Sequence, residues 1–290
     1  MPGTRRDVST VDFPAGEEPH GFEAPATHDA APAFARGTLP DGSRDALEAS
    51  DRLRELEQSF DKCLAGLVMH FQPIVHARTR ARFGYEALLR STDKSLPHPG
   101  AILDAAERLE RVPALGRAVR AHTAKIIANA PPERGVVFIN LHLLDLFDKQ
   151  LTSPFSPLAK VASRVILEIT ERTSLEGEVD LRYRVAELRE LGFRIAIDDL
   201  GGGHARMGTF TLLDCDFVKL DMSLVRDVDK HPMKQRLIRS MTELCREQGI
   251  TFIAEGVETE AEAKILVDQG CDLLQGYLIA KPALPFVDPL

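Results

Sequence analysis

Residues 164–199 read RVILEITERTSLEGEVDLRYRVAELRELGFRIAIDD, and this stretch decides the fold. It opens and closes on short apolar, β-branched runs, RVILEIT (164–170) and RIAIDD (194–199). Near-continuous apolar runs of this length suit strands covered on both faces, as in a mainly parallel sheet. Between them Leu181, Val185 and Leu188 recur at helical spacing, and Gly192 supplies a stop. The whole is one strand–helix–strand unit.

The same rhythm extends outward in both directions. Six further runs are HFQPIV (70–75), GYEALL (84–89), VVFINL (136–141), FVKLD (217–221), TFIAEG (251–256) and LLQGYLI (273–279). Leu237, Met241 and Leu244 mark another helix, ending at Gly249. Thr259 and Glu262 have capping-box spacing at the start of a third, which ends at Gly270. Eight strands with intervening helices fit a (β/α)8 barrel, with an open doubly wound sheet as the competing architecture. The first two runs are separated only by the HARTRAR segment, too short for a helical crossover. A hairpin is expected there, with the first strand antiparallel to the rest.

Polar residues stand at the ends of these runs: Glu86, Asn140, Glu168, the pair Asp198–Asp199, Lys219, Glu255 and Gln275. From Asn140 onward the steps are 28, 30, 21, 36 and 20 residues, each near one βα unit. Residues in such phase project into the mouth of a barrel, where barrel enzymes carry their chemistry. Carboxylates gathered there without enough basic partners would repel, and a divalent cation is the usual remedy. An all-oxygen ligand set selects hard ions such as Mg²⁺, Mn²⁺ or Ca²⁺ over zinc. The adjacent aspartates could let one carboxylate bridge two ions, as in two-metal phosphoryl transfer. The pattern alone therefore indicates a metal-dependent barrel enzyme acting on a phosphate-containing substrate.

Composition narrows the class further. The chain has 290 residues, 44% hydrophobic and 28% charged, with a formal net charge of −8 and no Trp. That balance excludes a surface coated by nucleic acid, which needs a concentrated basic patch. Cys63, Cys215, Cys245 and Cys271 show no ligand spacing, so buried thiols in a reducing compartment are expected. No apolar stretch approaches the roughly 18 residues of a membrane span, and MPGTRRDVSTVDFP lacks a signal-peptide core. A cytoplasmic location follows as an expectation. Residues 1–50 hold 6 of the 18 prolines, with 4 Arg against 9 Asp+Glu. Residues 1–43 accordingly read as a disordered acidic tail. Leu47, Leu53, Leu56, Phe60 and Leu64 then mark an amphipathic lead-in helix over 44–66, expected to pack on the domain that follows (67–290). No GK[ST] follows the glycines at 201–203, which rejects a P-loop, and the histidines lack HExxH spacing.

At these residues the sequence also resembles the EAL-domain cyclic di-GMP phosphodiesterases. The similarity runs through FQPI (71–74), YEALLR (85–90), FINL (138–141), LEITER (167–172), IAIDD (195–199), FVKLD (217–221), IAEGVET (253–259) and QGYLIAKP (275–282). The resemblance implies a modified barrel with an antiparallel first strand and hydrolysis of cyclic di-GMP to linear pGpG. It implies two ions, Mg²⁺ or Mn²⁺, with inhibition by Ca²⁺. Glu86, Asn140, Glu168 and Asp198 would bind one metal, and Asp198 would bridge to the second with Asp199 beside it. Glu255 would be the general base and Lys219 would hold the attacking water or the developing charge. Gln275 would complete the water network, and Gln72 and Arg90 would contact the dinucleotide. Glu171 would support the loop after the aspartate pair, with Glu258 in a matching supporting position. That loop departs from the family's usual DFGTGYSS and reads Asp199-Leu200-Gly201-Gly202-Gly203-His204-Ala205-Arg206. The family also implies a homodimer and a regulatory partner. The alternative implied by the altered loop is an impaired domain acting as a cyclic di-GMP receptor or a protein-interaction scaffold.

Overall fold

The computed structural model describes residues 41–170, 178–202, 214–284 and 286–289. Eight strands close a barrel in chain order: β1 (Leu67–His76), β2 (Arg82–Ser91), β3 (Val136–Leu141), β4 (Val165–Thr170), β5 (Arg194–Leu200), β6 (Phe217–Leu220), β7 (Thr251–Ala254) and β8 (Leu273–Gln275). The expected hairpin is present. β1 runs antiparallel to both β2 and β8, while every other neighbouring pair is parallel. The link from β1 to β2 turns through Arg80 in the left-handed region (φ 60°) and closes with His76 N–H donating to Ala81 O at 2.8 Å.

Strand alternation divides the barrel into layers. Ile74, Phe138, Ile166, Ala196, Phe217, Ile253 and Leu273 form one interior cluster, a floor to which seven of the strands each give one side chain. β2 gives no fully buried side chain to it, although Phe83 packs against it, partly buried. Gly84 stands at that level, and a Cβ on it would run into the Val136 carbonyl. Two residues along each of the parallel strands β3–β8 come Asn140, Glu168, Asp198, Lys219, Glu255 and Gln275 in turn. On β1, which runs the other way, the equivalent step back from Ile74 reaches Gln72, directly opposite Glu86 on β2. The period that buries the floor therefore lifts the polar set into the mouth.

The outward-facing strand residues pack against helices α1 (Asp41–Ala65), α2 (Pro99–Arg108), α3 (Val112–Asn129), α4 (Glu178–Glu190), α5 (Pro232–Glu247) and α6 (Glu260–Asp268). In α1, Phe60 and Cys63 are buried in the main core and Leu56 and Leu64 pack beside them, whereas Leu53 is exposed. The lead-in helix thus docks through its second half, and its backbone begins at Asp41 rather than 44. The tail before it lies outside the described residues. On α5 the buried face is Ile238, Met241, Thr242 and Cys245, while Leu237 and Leu244 are exposed. The leucine stripe misplaces this face because Cys245 enters the core and Thr242 turns inward to donate to Gln269 O at 2.7 Å. The α6 capping box forms as expected, and Gly192, Gly249 and Gly270 carry positive φ at the helix ends. All four cysteines are free and buried, and burial pushes the Cys215 and Cys245 thiols up to about 11 and about 12.

One buried charge network fixes the segment after β3. Arg120 on α3, 5% exposed, donates to Asp145 Oδ1 and Asp148 Oδ2, each at 2.5 Å, and Arg117 adds two bonds to Asp148. Gly116 makes room for it, since a Cβ there would collide with Asp145 Oδ1. Arg120→Met leaves Asp145 buried without its cation, though Asp148 keeps Arg117. A loss of about 3 kcal/mol in urea unfolding is expected, and a loss below about 1 kcal/mol would contradict the network's role. The Arg117 hydrogen bonds hold the Asp148 carboxyl below the usual range, despite its burial. A depressed carboxylate contributes stability that is present above its unfolded pKa and lost as pH falls through the folded one. Asp148→Asn should therefore lose less stability than wild type on acidification from about pH 5 to about pH 3.

Candidate active site

Lys219 occupies the centre of the mouth and is 1% exposed. Its Nζ lies 2.6 Å from Glu168 Oε1, 3.3 Å from Glu86 Oε2 and 3.6 Å from Asp198 Oδ1, and contacts Glu255 Oε1. One ammonium thus faces four carboxylates. Burial alone would pull the Lys219 pKa down, but Asp198, Glu168, Glu255 and Glu86 together hold it well above the ordinary lysine value. Glu168, fully buried, is pushed well above the usual carboxylate range, first by desolvation and then by its acidic neighbours, against the pull of Lys219. Burial likewise raises Glu255 to about 8.

Glu86 behaves differently because it is well supplied with donors. Burial raises its carboxyl, but the Lys219 charge and hydrogen bonds from Gln275 and Asn140 bring it below the usual range. Asn140 Nδ2 donates to Glu86 Oε1 at 2.8 Å and Gln275 Nε2 donates to Oε2 at 2.6 Å. Gln275 Nε2 also reaches Gln72 Oε1 at 3.1 Å, and Gln72 Nε2 donates to the Ala280 carbonyl at 3.0 Å. A continuous chain of hydrogen bonds therefore crosses β8, β1, β2 and β3. Gly276 permits the close turn after β8, since a Cβ there would strike the Val257 backbone.

Among the described residues, the opposite side of the mouth is short of donors. Both oxygens of Glu168 and Oε1 of Glu255 are buried outside any well-aligned hydrogen bond, with the Lys219 ammonium as their close partner. Adjacent strand residues ordinarily face opposite ways. Here β5 carries an irregularity between Ile197 and Leu200, and Asp199 takes a left-handed backbone (φ 60°). Its N–H donates to Asp198 Oδ1 at 2.9 Å. The kink turns both aspartates to one side, so that oxygens of Asp198, Asp199 and Glu255 lie within 4.8 Å of one another. Such backbone strain in a non-glycine residue costs on the order of 1 kcal/mol and concentrates at functional sites. A carboxylate-only cluster in which Glu255 Oε1 has no well-aligned hydrogen-bond donor among the described residues fits a hard divalent cation in chemistry.

The remaining sequence-derived residues are placed as follows. Arg90 is half-buried, shares the inner face of β2 with Glu86, and donates to its neighbour's carbonyl, Leu89 O, at 2.7 Å. Glu258 stands outside the carboxylate cluster, where it accepts from Arg226 Nη2 at 2.6 Å. Glu171 and the loop positions Gly203, His204, Ala205 and Arg206 lie outside the described residues. Asp221 received no role from sequence, yet its carboxylate caps the turn Met222–Val225, with Ser223 N–H at 2.9 Å, and lies against Gly202. Its position two residues after Lys219 was the available signal.

A closed barrel with antiparallel β1 and an acidic mouth suited to divalent cations defines a (β/α)8-type site class. The EAL domain family model matches residues 53–282, and the chain belongs to that family. It is 30% identical over 224 residues to the probable cyclic di-GMP phosphodiesterase PdeA of Escherichia coli (strain K12), covering 74% of this chain and 30% of that protein. It is 27% identical over 220 residues to the cyclic di-GMP phosphodiesterase PdeL of the same organism, covering 73% of this chain and 61% of that one. The chain thus spans less than two thirds of either relative. Among solved structures, the Klebsiella pneumoniae BlrP1 complex with calcium and cyclic di-GMP superposes with a TM-score of 0.68 at 28% identity, covering 75% of this chain and 56% of that one. The PaMucR phosphodiesterase complex with cyclic di-GMP gives 0.69 at 26% identity, covering 80% and 97%. No helix of the described residues is long and apolar enough to cross a membrane.

Proposed function

We propose that the barrel mouth hydrolyses cyclic di-GMP to linear pGpG with two resident divalent ions, Mg²⁺ or Mn²⁺. The observation that carries this reading is the meeting of Asp198, Asp199 and Glu255 within 4.8 Å, beside buried carboxylates served by a single lysine. Glu86, Asn140, Glu168, Asp198 and Asp199 would hold the ions. When bound, these supply positive charge against the phosphodiester oxygens and acidify water.

The chain's own groups account for the rest. Glu255 orients the attacking water and takes its proton as the new P–O bond forms and the bond to the ribose 3′ oxygen breaks, and the released 3′ oxygen takes a proton from bulk water. Lys219, already drawn among the carboxylates, balances negative charge on the phosphoryl oxygens as a fixed point charge. Gln275 and Gln72 hold the water and one edge of the dinucleotide. Arg90, whose bond to a neighbouring carbonyl is easily exchanged, offers its guanidinium fork to a phosphate. Glu258 supports through Arg226, and Glu171 is assigned to the loop after the aspartate pair. A homodimer belongs to the same reading.

Calcium separates binding from chemistry, because it accepts looser geometry than Mg²⁺. Calorimetric titration of cyclic di-GMP in Ca²⁺ is expected to show saturable binding, and added Ca²⁺ should stop turnover supported by Mn²⁺. Binding without product under Mn²⁺ would support a receptor instead. Neither heat nor product would support a scaffold.

A further inference from the structure

Lys219 and Glu255 must be held in opposition, and each begins a loop above the barrel. The β6 side continues through Asp221 to Arg226 and Asp227. The β7 side continues through Gly256 to Thr259, where α6 begins. At strand level the two are joined by Glu255 N–H to Leu220 O at 3.3 Å. Above the strands, the Arg226–Glu258 ion pair and Glu262 link them. Glu262 is 2% exposed and divides its oxygens between the loops. Oε2 accepts the N–H groups of Glu258 and Thr259, both at 3.0 Å, as a helix cap requires. Oε1 accepts the N–H of Asp227 at 2.9 Å, a bond that contributes nothing to capping. Asp227 holds a left-handed backbone (φ 54°), an unfavourable conformation for a residue that is not glycine, and that geometry presents its N–H to Glu262. Burial raises the Glu262 carboxyl, but these amide bonds bring it below the usual range, so it is present as a two-oxygen anion.

The geometry points to Glu262 as a positioning residue that sets the spacing between the loop after Lys219 and the loop that begins at Glu255. This rests on the phosphodiesterase reading of the mouth. The role needs both carboxylate oxygens, whereas capping needs one. A glutamine keeps the side chain's volume and can still cap with its carbonyl, but its amide nitrogen cannot accept from Asp227.

The test compares Glu262→Gln, Glu262→Ala and Thr259→Ala in the full chain, below their melting temperatures. Thr259→Ala removes the reciprocal cap bond to Glu262 N–H (3.2 Å) and leaves the Asp227 bond intact. Glu262→Gln and Glu262→Ala should each lower kcat for cyclic di-GMP about tenfold with KM within about threefold. Thr259→Ala should lower melting temperature while leaving kcat within about twofold. Hydrogen exchange of residues 226–230 should accelerate about tenfold in Glu262→Gln, with the α6 amides unchanged. Wild-type kcat in Glu262→Gln overturns the inference, and so does a kcat loss with unaltered exchange at 226–230. An equal kcat loss in Thr259→Ala does likewise. Should the wild-type protein make no pGpG, the phosphodiesterase reading fails separately, and the exchange measurement alone decides: unchanged exchange at 226–230 overturns the tether.

Discussion

If the barrel mouth is the proposed phosphodiesterase site, Glu86→Ala is expected to lower kcat for cyclic di-GMP by on the order of 10³-fold. Glu86 is the junction of the mouth. It receives Asn140 at 2.8 Å and Gln275 at 2.6 Å, and lies 3.3 Å from the Lys219 ammonium. Removing it takes away a proposed ion ligand and also frees Asn140 and Gln275 from their shared anchor. Lys219 would then redistribute toward Glu168 and Glu255. Glu86 forms no part of the floor cluster, so the variant should remain folded, with its circular dichroism melting curve close to wild type. Product chromatography checks the rate. Near-wild-type turnover in a folded Glu86→Ala protein would remove Glu86 from the active site.

Lys219→Met has the second large effect, and it falls on stability as well as rate. A buried charge cluster that loses Lys219, its one cation among the described residues, leaves Glu86, Glu168, Asp198 and Glu255 facing one another. The expected loss is about 5 kcal/mol in urea unfolding, together with loss of turnover. The same logic fixes a metal-dependent readout. Mn²⁺ should raise the urea midpoint of Lys219→Met by more than it raises that of wild type, because added positive charge relieves greater repulsion there. An unchanged midpoint in the variant, or an equal response to Mn²⁺, would show that the four carboxylates are not electrostatically coupled through Lys219.

Much of this arrangement was legible before any coordinates. The apolar runs mark strands, and the short HARTRAR link dictates the β1–β2 hairpin. The two-residue step from a floor residue such as Ile166 or Phe217 to Glu168 or Lys219 follows from strand alternation alone. What alternation cannot supply is departure from it. Asp199 should face away from Asp198, and only a left-handed kink brings the two together. Face assignment also failed on α5, where Leu237 and Leu244 looked apolar enough to be buried but Thr242 and Cys245 take the inner positions. Glu262 was readable as half of a capping box with Thr259. Its bond to Asp227, 35 residues away, belongs to tertiary structure and has no local signature. Likewise sequence puts Lys219 in the mouth, whereas its place among four carboxylates depends on the closure of the barrel.

The charge balance acquires a spatial meaning from the same arrangement. Residues 1–50 carry a net −5, from 4 Arg against 9 Asp+Glu, so the remainder of the −8 is spread over the domain that contains the barrel. What matters there is concentration: acidic groups converge on one mouth, and any anionic ligand would need cations to offset them.

A single time course decides whether this mouth is a metal-dependent phosphodiesterase site. The purified full chain is incubated with cyclic di-GMP in Mn²⁺ and, in parallel, with a chelator, and pGpG is quantified by chromatography. Linear accumulation of pGpG is expected with Mn²⁺ and none with the chelator, restored when Mn²⁺ is added back. No pGpG under Mn²⁺, or equal production in the chelator, would contradict that reading.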